Sequence, residues 1–381
     1  IIDVGCGTGN FLLRIRKKGI KSPLLGVDIS PEMIYKARSN LQDSAFKDVT
    51  LVSRVVELDR NQPEFKMTLD RYLGKFVSPW RRDTAAKMLI EHADILDAVS
   101  AKYGVQKRYI VTFWGIETSF GKYLGSFNVP QALVTLAYDG RRSRYFRKEL
   151  LNALQIIDEG HISADNMMGS WAGAMGQSQF MPSSYRAYAR SYEGDGAPDI
   201  WDNPADAIAS VGNYLEAHGW RSGEQVVIDG IADDPDPAMF EGGLKPKRTV
   251  AALALEGLAP TDPLDPAGLA TPLRLEEEDG MRYWLGLQNF YVITRYNHSA
   301  MYAMAVWELS QAIAAARATH PATGLALLTL WWSTTCCCSG RFRKNGKHHT
   351  ITRTRRTRWT RRCASQASRW SRCFDDTRRS G

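Results

Sequence analysis

Glu117 stands in the stretch FWGIETSFG (113–121), between bulky aromatics and a glycine, and the next acid along the chain is Asp139. On a helix through RYIVTFWGIE, Ile110, Phe113, Trp114 and Glu117 fall at i, i+3, i+4 and i+7, so the carboxylate continues an apolar stripe. Gly121 follows where such a helix can end. A carboxyl desolvated by aromatic rings has its pKa raised, which suits a general acid at neutral pH. The competing reading is a structural acid paired with a buried arginine.

Three downstream segments carry polar groups that could serve such an acid. In AYDGRRSRYF, Arg141 and Arg142 sit at a turn, suited to binding a carboxylate or a peptide stem. GSWAGAMGQSQFMPSSY spaces Gly169, Gly173 and Gly176 among Ser170, Gln177 and Gln179. Small residues there permit close approach of a ligand, while a hydroxyl and two amides could read the N-acetyl and hydroxyl groups of a sugar. A tightly packed helix pair with polar caps would explain the same pattern. ITRYNHS offers Tyr296 and Asn297 after a strand.

Two further segments suggest ions and cofactors. SYEGDGAPDIWDNPAD is a candidate calcium loop, in which Glu193, Asp195 and Asp199 alternate as in an EF-hand. Gly196 sits where the sharp turn is needed, Ala197 could offer its carbonyl, and Asp202 or Asp206 could close the site. Ser191 occupies the first position, where an aspartate is expected, so a weak site or a plain acidic surface loop competes with a filled one. IIDVGCGTGN reads as a short strand entering a G-x-G-x-G turn at Gly5, Gly7 and Gly9. A helix, FLLRIRKKG, and a strand, LLGVDIS, follow, with Asp28 nineteen residues past Gly9. Glycines let the backbone approach a cofactor, and an acid ending the next strand can bind ribose hydroxyls. Ser30, Pro31 and Glu32 then open a second helix as cap, first residue and first-turn acid.

The elements that must position these groups are mostly helical. PEFKMTLDRYLGKFV and DTAAKMLIEHADILDAVSAKYG place apolar residues at i, i+3, i+4 and i+7, the second with Asp83 as N-cap and Gly104 past its end. RYFRKELLNALQIIDEG, PADAIASVGNYLEAHG and HSAMYAMAVWELSQAIAAAR read as further helices. Between 222 and 295 the pattern changes to strand-like pieces, QVVIDG, TPLRLEE and FYVITRY, separated by Pro, Gly and Asp.

Composition adds limits. The 381 residues, 44% hydrophobic, leave room for two or three domains, and no run of eighteen apolar residues suggests a membrane span. The chain opens inside an apolar strand without Met or an export signal, which reads as a truncated start. The net charge of +8 is local: residues 341–381 carry fourteen Lys+Arg against two Asp+Glu, so the other 340 hold 35 bases and 39 acids, a balance of −4. Five of the six cysteines lie in or beside that tail, leaving Cys6 alone elsewhere, so the central body can form no disulfide. Arg with interleaved Trp could bind nucleic acid, and zinc is disfavoured because Cys336–Cys338 and His348–His349 lack finger spacing. An out-of-frame stretch is the plainer reading of the tail, and disorder is expected there.

The opening residues, IIDVGCGTGN to Asp28, resemble the first motif of class I S-adenosylmethionine-dependent methyltransferases over residues 1–42. In that resemblance Gly5, Gly7, Gly9 and Asp28 match the cofactor-binding positions, but two strands and two helices are a vestige of the fold, and no methyl transfer is expected.

ELDRNQPEF, GIETSFG, TLAYDGRR, GSWAGAMGQSQFMPSSY, DIW and TRYNHSAMYAMAVWELSQA occur in the order and spacing of the membrane-bound lytic murein transglycosylase B family, from about residue 51 to 316. The resemblance implies an α+β, mostly helical fold: a lysozyme-like core (105–221 and 286–316) with a helical domain (45–104) and a small β domain (222–285). The N-terminal βαβα fragment (1–42) and the basic tail (330–381) stand outside it. It implies that Glu117 is the acid/base, that Arg141 and Arg142 are paired cleft arginines, and that Ser170 and Gln179 contact sugar. Tyr296 and Asn297 would flank the cleaved bond, and Glu193, Asp195, Ala197 and Asp206 would hold a structural calcium. The family cleaves peptidoglycan glycan strands without water. Its acid protonates the bond between N-acetylmuramic acid (MurNAc) and N-acetylglucosamine (GlcNAc) and then accepts the C6 hydroxyl proton as a 1,6-anhydro ring closes. No cofactor is required, the expected form is a monomer, and the expected place is the periplasm or cell envelope. Nucleic acid is not an expected partner. Competing readings are an inactive wall-binding protein, which intact Glu117, Ser170 and Asn297 argue against, a methyltransferase, and a nucleic-acid-binding protein.

Overall fold

The computed structural model describes residues 2–4, 25–27, 53–60, 67–138, 142–194, 196–232 and 235–319. The expectations placed on Gly5, Gly7, Gly9, Asp28, Arg141, Asp195 and the tail 330–381 lie outside those residues. Strands β1 (Ile2–Val4) and β2 (Leu25–Val27) pair in parallel, Ile2 opposite Leu25 and Val4 opposite Val27.

The body is α+β and mostly helical. Helices α1 (Ser53–Arg60), α2 (Leu69–Phe76), α3 (Pro79–Glu91) and α4 (Ala93–Tyr103) lead into α5 (Lys107–Thr118). A short antiparallel pair, β3 (Phe127–Asn128) with β4 (Met168–Gly169), encloses α6 (Val129–Tyr138) and α7 (Ser143–Asp158). Helices α8 (Pro182–Tyr188) and α9 (Pro204–Ala217) follow.

Next come β5 (Val227–Ala232), β6 (Arg248–Thr249), α10 (Val250–Leu255), β7 (Leu258–Pro260), β8 (Leu269–Glu277) and β9 (Gly280–Gly286). Helices α11 (Gln288–Tyr296) and α12 (Ala300–Thr319) close the described chain. No helix among the described residues is long and apolar enough to cross a membrane.

Helix α5 is the centre of the core. Every residue from Tyr109 to Ile116 is buried, and α3, α4, α9 and α12 pack around it. A helix apolar on all sides belongs inside a protein, and burying each large side chain contributes roughly 1.5–3 kcal/mol. That rigid element carries Glu117 at its last turn.

Two local expectations need correction. The single helix expected from Asp83 to Gly104 is two helices. Ser78 caps the first, its Oγ accepting from the Arg81 amide at 3.2 Å with Pro79 in the first turn, so Asp83 lies inside. The chain turns at His92, whose ring packs edge-on to Trp114 at 5.2 Å, and Gly104 ends α4 with a left-handed φ of 68°. FYVITRY, read as strand-like, is helix α11. Its β-branched Val292, Ile293 and Thr294 favour strands locally, yet all three are buried with Phe290 between the β sheet and α12. Packing overrides that preference, so Tyr296 and Asn297 follow a helix, and Asn297 is its C-cap.

The five-stranded sheet, ordered β6-β8-β9-β5-β7, is antiparallel at every pairing. Side chains alternate across a strand, and adjacent residues of β9 show the consequence. Trp284 faces the main core, while Leu285 joins a second cluster with Met239, Val250, Leu253, Leu258 and Ala270. The β unit thus has its own small core on one face and is anchored to the helical body by the other.

Candidate active site

Glu117 is half-buried, in contrast to its neighbours on α5. The hydroxyl of Tyr302, in the first turn of α12, donates a hydrogen bond to Glu117 Oε1. Desolvation, and then the Glu117 charge, pushes the Tyr302 phenol well above its usual range, so it remains an O–H donor at any physiological pH. The same two causes raise Tyr296, whose hydroxyl donates to the carbonyl of Ser178. Phe113, fully buried, lies between them, with ring centroids 4.7 Å from Tyr296 and 6.2 Å from Tyr302. One carboxylate is therefore set in a wall of three aromatic rings and anchored by a phenol.

The end of α5 is held against strain. Ser119, Phe120 and Gly121 all have positive φ, 52°, 62° and 75°, a region unfavourable for a bulky Phe. The turn folds the Phe120 ring back over Gly115, where an added Cβ would lie 2.7 Å from the ring, and sets it edge-on to Trp114 at 5.7 Å. This explains the sequence W-G-x-x-x-x-F around the acid. Arg81 secures the same turn from α3: its Nε donates to Gly115 O at 3.1 Å and its Nη1 to Phe76 O at 2.7 Å.

The loop 170–181 is stitched to this helix. Trp114 Nε1 donates to Gln177 Oε1 at 2.9 Å, Gln177 Nε2 to Trp201 O at 3.0 Å, and Thr118 Oγ1 to Gln177 O at 2.9 Å. Gln179, at a left-handed φ of 47°, donates from Nε2 to Leu124 O and Gly176 O, both at 3.0 Å. Ser170 Oγ accepts from the Ala174 amide at 3.0 Å. The glycines of this loop make room for protein, not ligand: a Cβ at Gly173 would meet Leu133 at 2.4 Å and one at Gly176 would meet Ile200 at 2.6 Å. The loop and α11 meet where Tyr296 bonds Ser178, and the loop meets α5 where Thr118 bonds Gln177, which draws together the segments that bear Glu117, Gln179 and Tyr296.

Arg142 stands slightly apart from the expected role. It begins α7, and its Nη2 pairs with Asp59 Oδ1 at 2.8 Å, a carboxylate 2% exposed, while its guanidinium lies 4.8 Å from the Phe146 centroid. That pair ties α1 to α7.

The candidate calcium loop is held by its own hydrogen bonds. Asp206 accepts from the amides of Tyr192 and Asp199 at 2.8 Å each, and Asp199 Oδ1 accepts from Trp201 and Asp202 at 2.9 Å each. Ser191 Oγ accepts from the Gly194 amide at 3.2 Å. Among the described residues no three His, Cys, Asp or Glu side chains come together as a metal cage.

Sequence reasoning missed Tyr302 and underused Gln177. A usable signal existed for the first, since Tyr302 is a phenol in the Ala- and Met-rich start of α12, and a buried Tyr hydroxyl needs a partner.

Comparison with known proteins gives the family. The transglycosylase SLT domain family matches residues 35–311, reaching back into the segment read as the end of the N-terminal fragment. Membrane-bound lytic murein transglycosylase B of Escherichia coli K12 is 44% identical over 248 residues, 65% of this chain and 68% of that protein. The Escherichia coli lytic transglycosylase Slt35, solved in complex with calcium, superposes with a TM-score of 0.66 at 37% identity, over 82% of this chain and 94% of that one. Pseudomonas aeruginosa SltB3, solved with NAG-anhNAM-pentapeptide, gives 0.64 at 33% identity, over 80% and 78%. Short matches to methyltransferases cover 13–26% of this chain and at most 44% of those proteins. A helix-borne glutamate tied to an aromatic wall, on a fold shared with these enzymes, places the chain in the transglycosylase SLT family of peptidoglycan-cleaving lytic transglycosylases.

Proposed function

We propose that the protein cleaves the MurNAc-β-1,4-GlcNAc bond of peptidoglycan without water and releases 1,6-anhydromuropeptides. The carrying observation is the single carboxylate. The segments that bear Glu117, Ser170, Gln179, Tyr296 and Tyr302, residues 105–128, 168–182 and 286–307, contain no other Asp or Glu. Glycosidases that hydrolyse with two carboxylates hold them about 5–9.5 Å apart, and these segments supply no such partner.

One group can serve both directions. Glu117 gives its proton to the glycosidic oxygen as the bond from C1 breaks, and the substrate's own acetamido oxygen stabilises the cation at C1. The carboxylate then takes the proton of the C6 hydroxyl as that oxygen bonds to C1. The proton count closes, and no water enters. Tyr302 holds the carboxyl in one rotamer throughout, while Ser170, Gln179, Tyr296 and Asn297 line the sugar-binding side and Arg141 and Arg142 serve the peptide stems. The known ligand of the Pseudomonas relative, a disaccharide with an anhydro sugar and a pentapeptide, has the product's chemistry.

The cell envelope follows as the place of action, since the substrate is there and the Escherichia coli relative is membrane-bound. The proposed form is a monomer. Calcium has no part in the chemistry. The donor set fits it poorly, because the Asp206 carboxylate already receives two amides and Ser191 replaces a charged first ligand. We propose at most a weak structural ion at Glu193, Asp195, Ala197 and Asp206.

Mass spectrometry of fragments released from purified sacculi tests the reaction. Anhydro-ended muropeptides are the expected product. Mainly reducing ends would identify a hydrolase, and binding to sacculi without release would identify an inactive wall-binding protein.

A further inference from the structure

Tyr291 carries two cations on its ring. The guanidinium of Arg295 lies 4.4 Å from the centroid, and Lys245 Nζ lies 6.0 Å from it. They come from different parts of the fold, Arg295 from α11 and Lys245 from the loop before β6, whose Gly243 carbonyl is tied to Thr271 Oγ1 at 2.8 Å. Among the described residues neither cation has a carboxylate partner. Two like charges near one ring with no counter-charge form an arrangement that an anion would relieve.

Arg295 is positioned and incompletely used. Its carbonyl accepts from Tyr214 Oη at 2.6 Å, which fixes the backbone. Nη2 lies 3.4 Å from Thr294 Oγ1 and 3.2 Å from His298 Nδ1, and Nε is buried without a hydrogen-bond partner. Burial, and then the Arg295 charge, holds His298 below its ordinary range, so the imidazole is neutral at physiological pH and Nδ1 can accept. A cation in the last turn of α11 also suits the helix dipole, which accounts for Arg295 but not for Lys245.

We infer that Arg295 and Lys245 form a carboxylate-binding subsite that takes a free carboxylate of the substrate's peptide stem. A planar fork and a point charge drawn to one ring together offer the donors that a carboxylate accepts. The sugars of the glycan offer neutral N-acetyl and hydroxyl groups, whereas a peptide stem ends in a carboxylate. Arg295 lies in the last turn of α11, the helix that also carries Tyr296 and ends at Asn297, two residues that flank the scissile bond in the reading above. The inference rests on that reading.

The test uses the full chain carrying Glu117→Gln, so that ligand survives, and isothermal calorimetry with two probes: disaccharide pentapeptide and the same molecule with its carboxylates amidated. Arg295→Gln with Lys245→Ala is expected to weaken binding of the carboxylate form about tenfold, toward the affinity of the amidated form, through loss of charge-assisted hydrogen bonds. Lys245→Ala alone, on an exposed residue, is expected to weaken it about threefold and to decide the matter if the double variant does not fold. Equal losses for both probes, or none for either, overturn the subsite. Failure of the parent Glu117→Gln protein to bind either probe overturns the transglycosylase reading itself.

Discussion

Tyr302 donates its hydroxyl hydrogen to Oε1 of Glu117 across 185 residues of sequence, joining the first turn of α12 to the last turn of α5. The bond anchors the acid against the rings of Phe113 and Tyr296. Tyr302→Phe keeps the ring, so its packing near Phe113 is retained. A hydrogen bond to a charged group is worth about 1.5–3 kcal/mol, or roughly ten- to a hundredfold in rate. The expected outcome is a fall of that size in kcat on purified sacculi with KM nearly unchanged. A variant that lost affinity and kept kcat would show that Tyr302 contacts substrate instead of positioning the acid.

Gly115→Ala tests the turn that ends α5. The new methyl would lie 2.7 Å from Phe120 Cζ, and Phe120 already occupies a positive φ of 62° with Trp114 against its ring. Overpacking of this kind costs about 1–3 kcal/mol. Urea denaturation is expected to show a lower midpoint at an unchanged slope, with weaker wall cleavage because Glu117 moves with the turn. Wild-type stability would mean that the ring is free to swing away.

Much of this site was legible in the sequence, and the illegible part has physical causes. The stripe Ile110, Phe113, Trp114 and Glu117 is local to one helix, so periodicity found it and the structure keeps its three apolar members buried. The motif order then brought in Ser170, Gln179, Tyr296 and Asn297. Helix α11 was misread because Val292, Ile293 and Thr294 favour strands locally, and only contacts with distant elements reverse that preference. The division at His92 was hidden for a similar reason, since its ring packs on Trp114, 22 residues away in sequence. The glycines of the 170–181 loop looked like space for a sugar, but Leu133 and Ile200 fill that space from elsewhere in the chain.

A pH effect on stability is expected at Glu308. Burial raises its pKa from the ordinary 4.5, partly offset by Arg282, with Asp229 and Glu277 adding to the rise. A carboxyl raised in the folded state binds its proton more tightly there than in the unfolded chain. Its contribution is therefore fully present below the unfolded pKa and is lost as pH rises through the folded value. Glu308→Gln removes the ionisation, so it should melt higher than wild type at pH 7, with the difference shrinking toward pH 4. A difference independent of pH would place the effect in packing.

Calcium is expected to add little. A ligand that binds only the native state contributes about 2.7 kcal/mol at a hundredfold excess over its dissociation constant, and the carboxylates of Asp206 and Asp199 are already engaged by backbone amides. Melting with millimolar calcium against chelator should differ by a small shift. A rise of many degrees at micromolar calcium would show a filled, strong site and would overturn the weak-ion reading.

Glu117→Gln separates the chemistry from the fold. The amide is nearly isosteric, so α5, with Phe113 fully buried and Trp114 at 3% exposure, should pack as before. It can still meet the Tyr302 hydroxyl through its carbonyl oxygen. What it cannot do is release a proton to the leaving sugar oxygen or later accept one from the C6 hydroxyl. General acid–base assistance typically contributes about 10²–10⁴-fold, and here one group supplies both transfers with no second acid in the segments around it. Release of anhydromuropeptides is expected to fall to near background while binding to sacculi and the melting temperature persist. Retention of most of the activity would require another proton donor and would remove Glu117 from the centre of the reaction.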